Sequence, residues 1–189
     1  VLNMLNTRYV IVPTDQGPQV QRNPGAPGCV WFVNEIRWVN SPDEEIVALN
    51  DFNPVRTAVI DKAWQADLPS WQQLASSDSA ATIRLTDYPA PDRLLYESQS
   101  ASPRLAVFSE VFYKTWHAYI DGREVKPIRV DYILRGLEIP AGTHKIEFRC
   151  VDDVYLRSAR ISLIASIVVG VVFLALLGMA VRNAVVRKA

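Results

Sequence analysis

The chain has 189 residues, 20 acidic and 20 basic side chains and a hydrophobic content of 49%, so it can build a core and is not a disordered polyelectrolyte. All 20 acids but only 17 of the bases lie in residues 1–160, which carry a net charge of −3 and offer no general handle for nucleic acid. Residues 161–189 hold Arg182, Arg187, Lys188 and no acid, behind an uncharged apolar run far longer than a soluble helix needs, which excludes a simply soluble protein.

Leu2 to Leu5 and then Tyr9 to Val12 read as a short helix or turn running into a buried strand that Pro13 stops. QGPQVQRNPGAPGC is rich in Gly, Pro and Asn and predicts a loop, followed by one aromatic and β-branched strand over Val30 to Val39. Ser41-Pro42-Asp43-Glu44 is a helix start, with Ser41 as N-cap, proline at the first position and acids in the first turn. Ile46, Leu49 and Phe52 then make its apolar side, Pro54 ends it, and Thr57 to Ile60 forms a further strand. Residues 1–62 therefore predict a small α/β lobe, and the polar residues 63–81 a linker.

From residue 82 the pattern alternates with period two, in Thr82–Thr86, Leu94–Ser98, Leu105–Phe112, His117–Ile120, Ile133–Ile139 and Lys145–Val151. Asp121-Gly122 marks a two-residue hairpin leading into Arg123-Glu124-Val125, because both types tolerate the positive φ of a type I′ turn. Pro140-Ala141-Gly142-Thr143 marks a second reversal. Strands without intervening helices predict an antiparallel β-sandwich over residues 82–153.

Residues 154–189 complete the chain as an apolar segment with a short basic tail. Ile161 to Val181 is uncharged and, at ~1.5 Å per residue, about 31 Å long as a helix, the thickness of a bilayer's hydrocarbon core. The fold class expected is thus α+β, mainly β, with one C-terminal transmembrane helix. Asp152-Asp153 caps the start of that helix. Arg182, Arg187 and Lys188 behind the span against Arg157 and Arg160 ahead of it favour a cytoplasmic tail and an extracytoplasmic residue 1–160 portion. Ser162, Ser166 and Gly170 recur every four residues, which suits close approach of another helix and equally suits the ordinary composition of membrane segments. Val1 is neither an initiator Met nor part of an export segment, so the expectation is a processed chain or the tail of a longer polytopic protein.

VLNMLNTRYVIVP, the aromatic strand VWFVNEIRWV and the block FSEVFYKTWHAYIDGREVKPIRVDYILRGLEIPAGTHKIEF together resemble the C-terminal region of the YfhO-like bacterial membrane proteins. The specific part is Phe108-Ser109-Glu110, Phe112, Tyr113, Trp116, Tyr119, Asp121-Gly122, Tyr132 to Gly136 and Ile139 to Gly142. Two turns depart from the family pattern: Lys114-Thr115 stands where proline-glycine is usual, and PGAPGC replaces an Asn-rich stretch. The resemblance implies a polytopic enzyme of the GT-C glycosyltransferase type, moving a sugar from a polyprenyl-phosphate carrier to a cell-envelope acceptor in the bacterial cytoplasmic membrane. It implies membrane lipid and the parent's other transmembrane helices as partners. Catalytic carboxylates of such enzymes lie near the N-terminus of the full protein, so no catalytic residue, metal or cofactor is carried over to this chain.

Among the residues themselves, Glu110 and Asp121 are conceivable paired carboxylates, but a hairpin turn explains Asp121 and a solvated strand face explains Glu110. His117 and His144 have no carboxylate or cysteine at ligand spacing and read as surface histidines. Cys29 and Cys150 either pair in an oxidising compartment or are small buried apolar residues. Nucleotide, serine-hydrolase and zinc-protease motifs are absent. Of the tryptophans, Trp31 and Trp38 suit a core, while Trp64 and Trp71 sit in the polar stretch and could meet a membrane interface or a parent domain. Trp116, His117 and Tyr119 near a hairpin, with Glu110 and Asp121, form the candidate glycan contact, against the commoner role of strand aromatics in filling a sandwich interior. The competing function is a membrane-anchored, non-enzymatic module that binds glycan or protein.

Overall fold

The computed structural model describes residues 1–70, 72 and 80–186, so the expectations resting on Trp71, Arg187 and Lys188 lie outside the described residues. The chain divides into two compact units, residues 1–150 and 151–189.

In the first unit, two antiparallel sheets face each other. One has the order β10 (Arg123–Val125), β9 (Trp116–Ile120), β13 (Gly142–Cys150), β7 (Arg93–Ser100) and β6 (Thr82–Ala90). The other has the order β11 (Ile128–Val130), β12 (Leu134–Ile139), β8 (Arg104–Val111) and β3 (Val30–Val33). Period-two alternation sends one side chain in two inward: Tyr96, Ala118, Ile146 and Phe148 from the first sheet meet Ala106, Phe108, Leu137 and Ile139 from the second. Tyr96, Phe108 and Phe148 lock the centre edge to face, with centroids 4.8 to 6.1 Å apart.

The small α/β part covers the other face of the four-stranded sheet. Here β4 (Glu35–Val39) and β5 (Thr57–Asp61) pair in parallel, joined through α1 (Pro42–Ala48). Ala58, Val59, Ile60 and Leu49 from this part meet Leu105, Val107, Ile128 and Val130 from the sheet. The four-stranded sheet is therefore a middle layer buried on both faces. That is why Leu105-Ala106-Val107-Phe108 is a continuous apolar run in which every residue is 0% exposed.

Local signals explain the helix start. Ser41 Oγ accepts a hydrogen bond from Glu44 N at 3.2 Å, and Glu44 reaches back to the Asn40 N–H at 2.9 Å. The helix lasts only seven residues and buries Glu45 and Ala48, with Leu49 following at its cap. Ile46, expected on the apolar side, is exposed, because it lies one residue, about 100° of helical turn, from Glu45.

Val30–Val39 is also not one strand. Asn34 separates β3, in the middle sheet, from β4, which turns away to pair with β5. The stretch expected as a loop after Pro13 contains β2 (Gly17–Arg22), which pairs with β1 (Tyr9–Thr14) in an isolated hairpin. Its prolines sit opposite each other, Pro13 against Pro18, and among the described residues no third strand needs their missing N–H groups. At the start of the 63–81 stretch, Lys62–Asp67 forms a 3₁₀ turn capped by Asp61, whose Oδ1 accepts from Ala63 N at 2.9 Å. Leu68 is buried and Trp64 packs on the core, so this portion is fixed to the unit. Cys29 and Cys150 are both free thiols, and Cys150 Sγ lies 3.3 Å from Thr115 Oγ1.

In the second unit, α2 (Asp153–Val186) contains one stretch, Val154–Met179, with mean hydropathy 2.8, long and apolar enough to cross a membrane. Asp152 caps it, accepting from Tyr155 N through Oδ1 at 3.0 Å. Ser158 and Ser166 return their hydroxyl protons to carbonyls four residues back, so neither leaves a bare donor on the apolar surface. Ser162, Ser166 and Gly170 share one face, in a shallow groove bordered by Phe173.

Gly136 tests the doubly covered sheet. A methyl group added there would stand 2.5 Å from Val130 Cγ1 and 3.1 Å from Ile128 Cγ1, both on short side chains with little room to move. Gly136→Ala is expected to destabilise the full chain by ~1–3 kcal/mol, read as a lower denaturation midpoint in detergent.

Candidate functional site

Phe112, Tyr113 and Lys114 connect β8 to β9, and this connection forms one wall of a cleft of about 630 Å³. Trp116 and His117 open β9 beside it, Glu124 to Pro127 come from β10 and the chain after it, and Trp64 comes from the 3₁₀ turn. Trp64 and Phe112 meet edge to face at 5.3 Å, and the Lys126 ammonium lies 5.6 Å from the Trp64 ring centre while pairing with Asp67 at 2.8 Å. His117 Nδ1 and Glu124 Oε1 are 2.8 Å apart at the rim. Aromatic faces beside a few polar groups suit the apolar faces and hydroxyl edges of a sugar ring. Among the described lining residues Glu124 is the only acid, so the cleft holds no carboxylate pair of the glycosidase kind.

Trp116 has a charged support behind it. The Arg135 guanidinium lies between two rings, 4.3 Å from the Trp116 centroid and 4.7 Å from that of Phe148, and it pairs with Glu110. Tyr96 Oη donates to the same Glu110 carboxylate at 3.3 Å. Burial lowers the Arg135 pKa to about 10 and pushes the Tyr96 phenol well above its ordinary value. Arg135 Nε and Nη1 have no hydrogen-bond partner among the described residues, where the Glu110 contact and the two ring faces compensate for burying this cation. An irregularity in the β8–β12 pairing makes room, because Leu134 pairs with Val111 and the next residue, Arg135, with Phe108. Ser109 and Glu110 are the extra residues of a bulge.

The five residues singled out in the sequence thus fall into separate places. Trp116 and His117 line the cleft, and Glu110 supports Trp116 through Arg135. Tyr119 lies under the Arg149 guanidinium, 4.8 Å away, on the outer face of the five-stranded sheet. Asp121 sits at the far end of β9, five residues or roughly 17 Å along the strand from Trp116. Glu110 and Asp121 therefore do not form a pair.

Asp121 has φ +49° in the predicted hairpin, and its Oδ1 accepts from Lys145 N at 2.9 Å. Its Oδ2 meets His144 Nδ1 at 2.6 Å, while His144 Nε2 faces the Ala141 carbonyl at 3.1 Å. Two acceptors around one ring favour the doubly protonated imidazolium: the Asp121 hydrogen bond raises the His144 pKa, and the His144 hydrogen bond lowers that of Asp121. His117 and His144 each face a carboxylate that the sequence places 7 and 23 residues away. Only strand pairing and turns bring these partners together.

Trp64, Phe112 and Tyr113 are the aromatic cleft residues not included in the sequence set, which also lacked Lys114 and Glu124 to Pro127. Phe112 and Tyr113 carried a signal as adjacent aromatics ending a strand, whereas the position of Trp64 depends on how the 3₁₀ turn docks. Among the described residues no cluster of three or more His, Cys, Asp or Glu could hold a metal ion.

A second polar constellation joins the α/β part to the middle sheet. Asp131 and Tyr132, between β11 and β12, both adopt left-handed backbone, with φ +49° and +70°. Asp131 N donates to Val59 O, and Asp131 Oδ1 accepts from Val59 N, each at 2.8 Å. Glu45, fully buried in α1, accepts from Tyr132 N at 2.9 Å and from the Arg129 guanidinium at 2.8 Å. Burial raises the pKa of both acids, that of Asp131 to about 7, and each is also raised by a neighbouring carboxylate, Glu45 for Asp131 and Asp61 for Glu45. Asp131 Oδ2 has no hydrogen-bond partner among the described residues. This constellation is closed by the core and reads as a structural latch.

Two outcomes follow from these groups. An acid whose folded pKa is raised binds its proton more tightly in the folded state. Asp131 therefore costs least stability below about pH 4 and progressively more as pH rises to about 7. Asp131→Asn is expected to flatten the loss of stability over that window and to be more stable than the parent at pH 8, in unfolding curves collected across pH. Glu110→Gln leaves Arg135 buried without its counter-charge and is expected to cost on the order of 3 kcal/mol, while adding Arg135→Met recovers part of that loss. No family model, curated protein or solved structure matches the chain.

Proposed function

We propose that this chain is the C-terminal extracytoplasmic domain and last membrane helix of a YfhO-like polytopic protein. In this reading the parent transfers a sugar from a polyprenyl-phosphate carrier to a cell-envelope acceptor in the bacterial cytoplasmic membrane. The domain holds the saccharide while chemistry occurs elsewhere in the parent. The observation that carries the reading is the aromatic cleft of Trp64, Phe112, Tyr113 and Trp116, with its lysines and its His117–Glu124 pair at the rim. Support also comes from α2, whose apolar stretch suits a membrane span, and from its Ser162–Ser166–Gly170 face, which suits another helix of the parent. Holding an acceptor near a membrane-bound donor lowers a barrier by orientation alone and requires no nucleophile in this chain.

A second reading, an anchored binding module without an enzymatic parent, uses the same cleft. It is favoured by the lack of a carboxylate pair among the described lining residues. The two diverge upstream of Val1, where further apolar spans support the first and a lone export signal the second.

The purified full chain in detergent is expected to bind envelope glycans by titration and to show no turnover with any polyprenyl-phosphate sugar. Trp64→Ala and Trp116→Ala are each expected to weaken binding about fivefold to tenfold, the loss of one stacking ring. Turnover by the chain alone, or unchanged binding in both variants, overturns the proposal.

A further inference from the structure

The two ends of the sandwich differ in the side chains they expose. At one end β8 finishes at Val111, β9 begins at Trp116 and β13 finishes at Cys150, which pairs with Trp116. Phe108 near the end of β8 and Phe148 near the end of β13 touch across the core, with centroids 4.8 Å apart, so these strand ends belong to one edge of the molecule. The β6–β7 turn joins them, since Cys150 N donates to Asp92 O at 2.8 Å.

The root of the N-terminal hairpin belongs there as well. Ser109 donates from its Oγ to Met4 O at 2.8 Å and from its N–H to Cys29 O at 2.9 Å. Asn23 then closes the hairpin base, donating from N to Arg8 O and from Nδ2 to Thr7 O. From this same edge, at Cys150, the chain leaves the sheet toward the apolar helix.

This edge and the hairpin rooted on it expose Tyr9 (63%), Ile11 (69%), Val20 (67%), Tyr88 (57%), Val111 (61%) and Tyr113 (57%). Ile11 and Val20 are directly opposite each other in the hairpin register, so they share one face. The turns at the other end, residues 101–103, 121–122 and 140–141, expose no large apolar side chain among the described residues. Ile46, Val47 and Val55 are exposed elsewhere on the unit, but tyrosines occur among the exposed aliphatic residues at this edge and hairpin, and that mixture suits the headgroup level of a bilayer, where a ring is buried and its hydroxyl stays wet.

We infer that this edge of the sandwich, with the β1–β2 hairpin, rests on the lipid surface. The occupant is a bilayer rather than a protein because the edge is the one from which the chain continues into an apolar helix. A lipid surface is therefore tethered within reach at high effective concentration. The hairpin and the strand ends carry the bases Arg8, Arg22 and Lys114 and also the acids Asp15, Asp87 and Asp92, so apolar and tyrosine contact carries the association and anionic lipid is not required. The Phe112–Lys114 wall of the cleft lies on this edge, which presents the cleft to a saccharide carried on a lipid. The inference rests on the reading of α2 as a membrane span.

The test uses the full chain in phosphatidylcholine nanodiscs, with nitroxides placed singly at Ile11→Cys, Tyr113→Cys, Thr143→Cys and Val171→Cys after both native cysteines are changed to alanine. Collision rates with oxygen and with a water-soluble nickel chelate report lipid and water exposure. Ile11 and Tyr113 are expected to be shielded from the chelate several-fold more than Thr143, and Val171 to meet oxygen alone. Equal chelate access at 11, 113 and 143, with Val171 in lipid, overturns the surface contact and leaves the span intact. Val171 in water overturns both. Hydrogen exchange on the unmodified chain in the same nanodiscs gives the same comparison, with residues 9–22 expected to slow relative to the lipid-free detergent form and residues 140–145 to stay unchanged. Equal rates for 9–22 in both forms count against the contact.

Discussion

Burial of the four-stranded sheet on both of its faces is the constraint on which the first unit depends. Between β7 and β13 on one side and β5 on the other, β8 has no wet face, so its residues Leu105 to Phe108 are all apolar and all fully enclosed. Each apolar layer fixes the position of what lies beyond it. The inter-sheet layer aligns Phe148 with Arg135, and thereby Arg135 with Trp116. The opposite layer docks β5 and the 3₁₀ turn that follows it, and with the turn Trp64. The two tryptophans of the cleft are thus held by two different cores that share one sheet.

Charge is placed under the same constraint. Arg135, Glu45 and Asp131 are enclosed polar groups in a unit that could have used hydrocarbon at those positions, and each sits where one structural part meets another. Arg135 lies between the sheets, and Glu45 with Asp131 between α1, β5 and the β11–β12 corner. Enclosed ionic groups add little net stability, but their hydrogen-bond geometry admits few alternative alignments. At the corner, the backbone exchange between Asp131 and Val59 sets how the α/β part sits on the sheet.

Local chemistry was legible in the sequence wherever it decides structure by itself. The Ser41 cap, the Asp121-Gly122 hairpin, the alternating strands and the apolar helix all follow from neighbouring residues. What was hidden depends on residues far apart in the chain. Asn34 has no feature that announces a change of sheet, and Ile46 is as apolar as Leu49 though only the latter faces the core. Glu45 reads as a surface acid in the first turn of a helix until Arg129 and Tyr132, more than 80 residues later, enclose it. For the cleft, Trp116 and His117 stood out as aromatic and polar neighbours, whereas Trp64 belonged to a stretch whose composition suggested a linker.

Only Val151 and Asp152 separate the last strand from the apolar helix, and β13 is hydrogen-bonded along both edges, to β7 and to β9. A tug on the helix would therefore arrive in the middle of a sheet and be shared between two ladders. Neither ladder can open at β13 without loading the other, so strain entering at Cys150 is spread over both neighbouring strands.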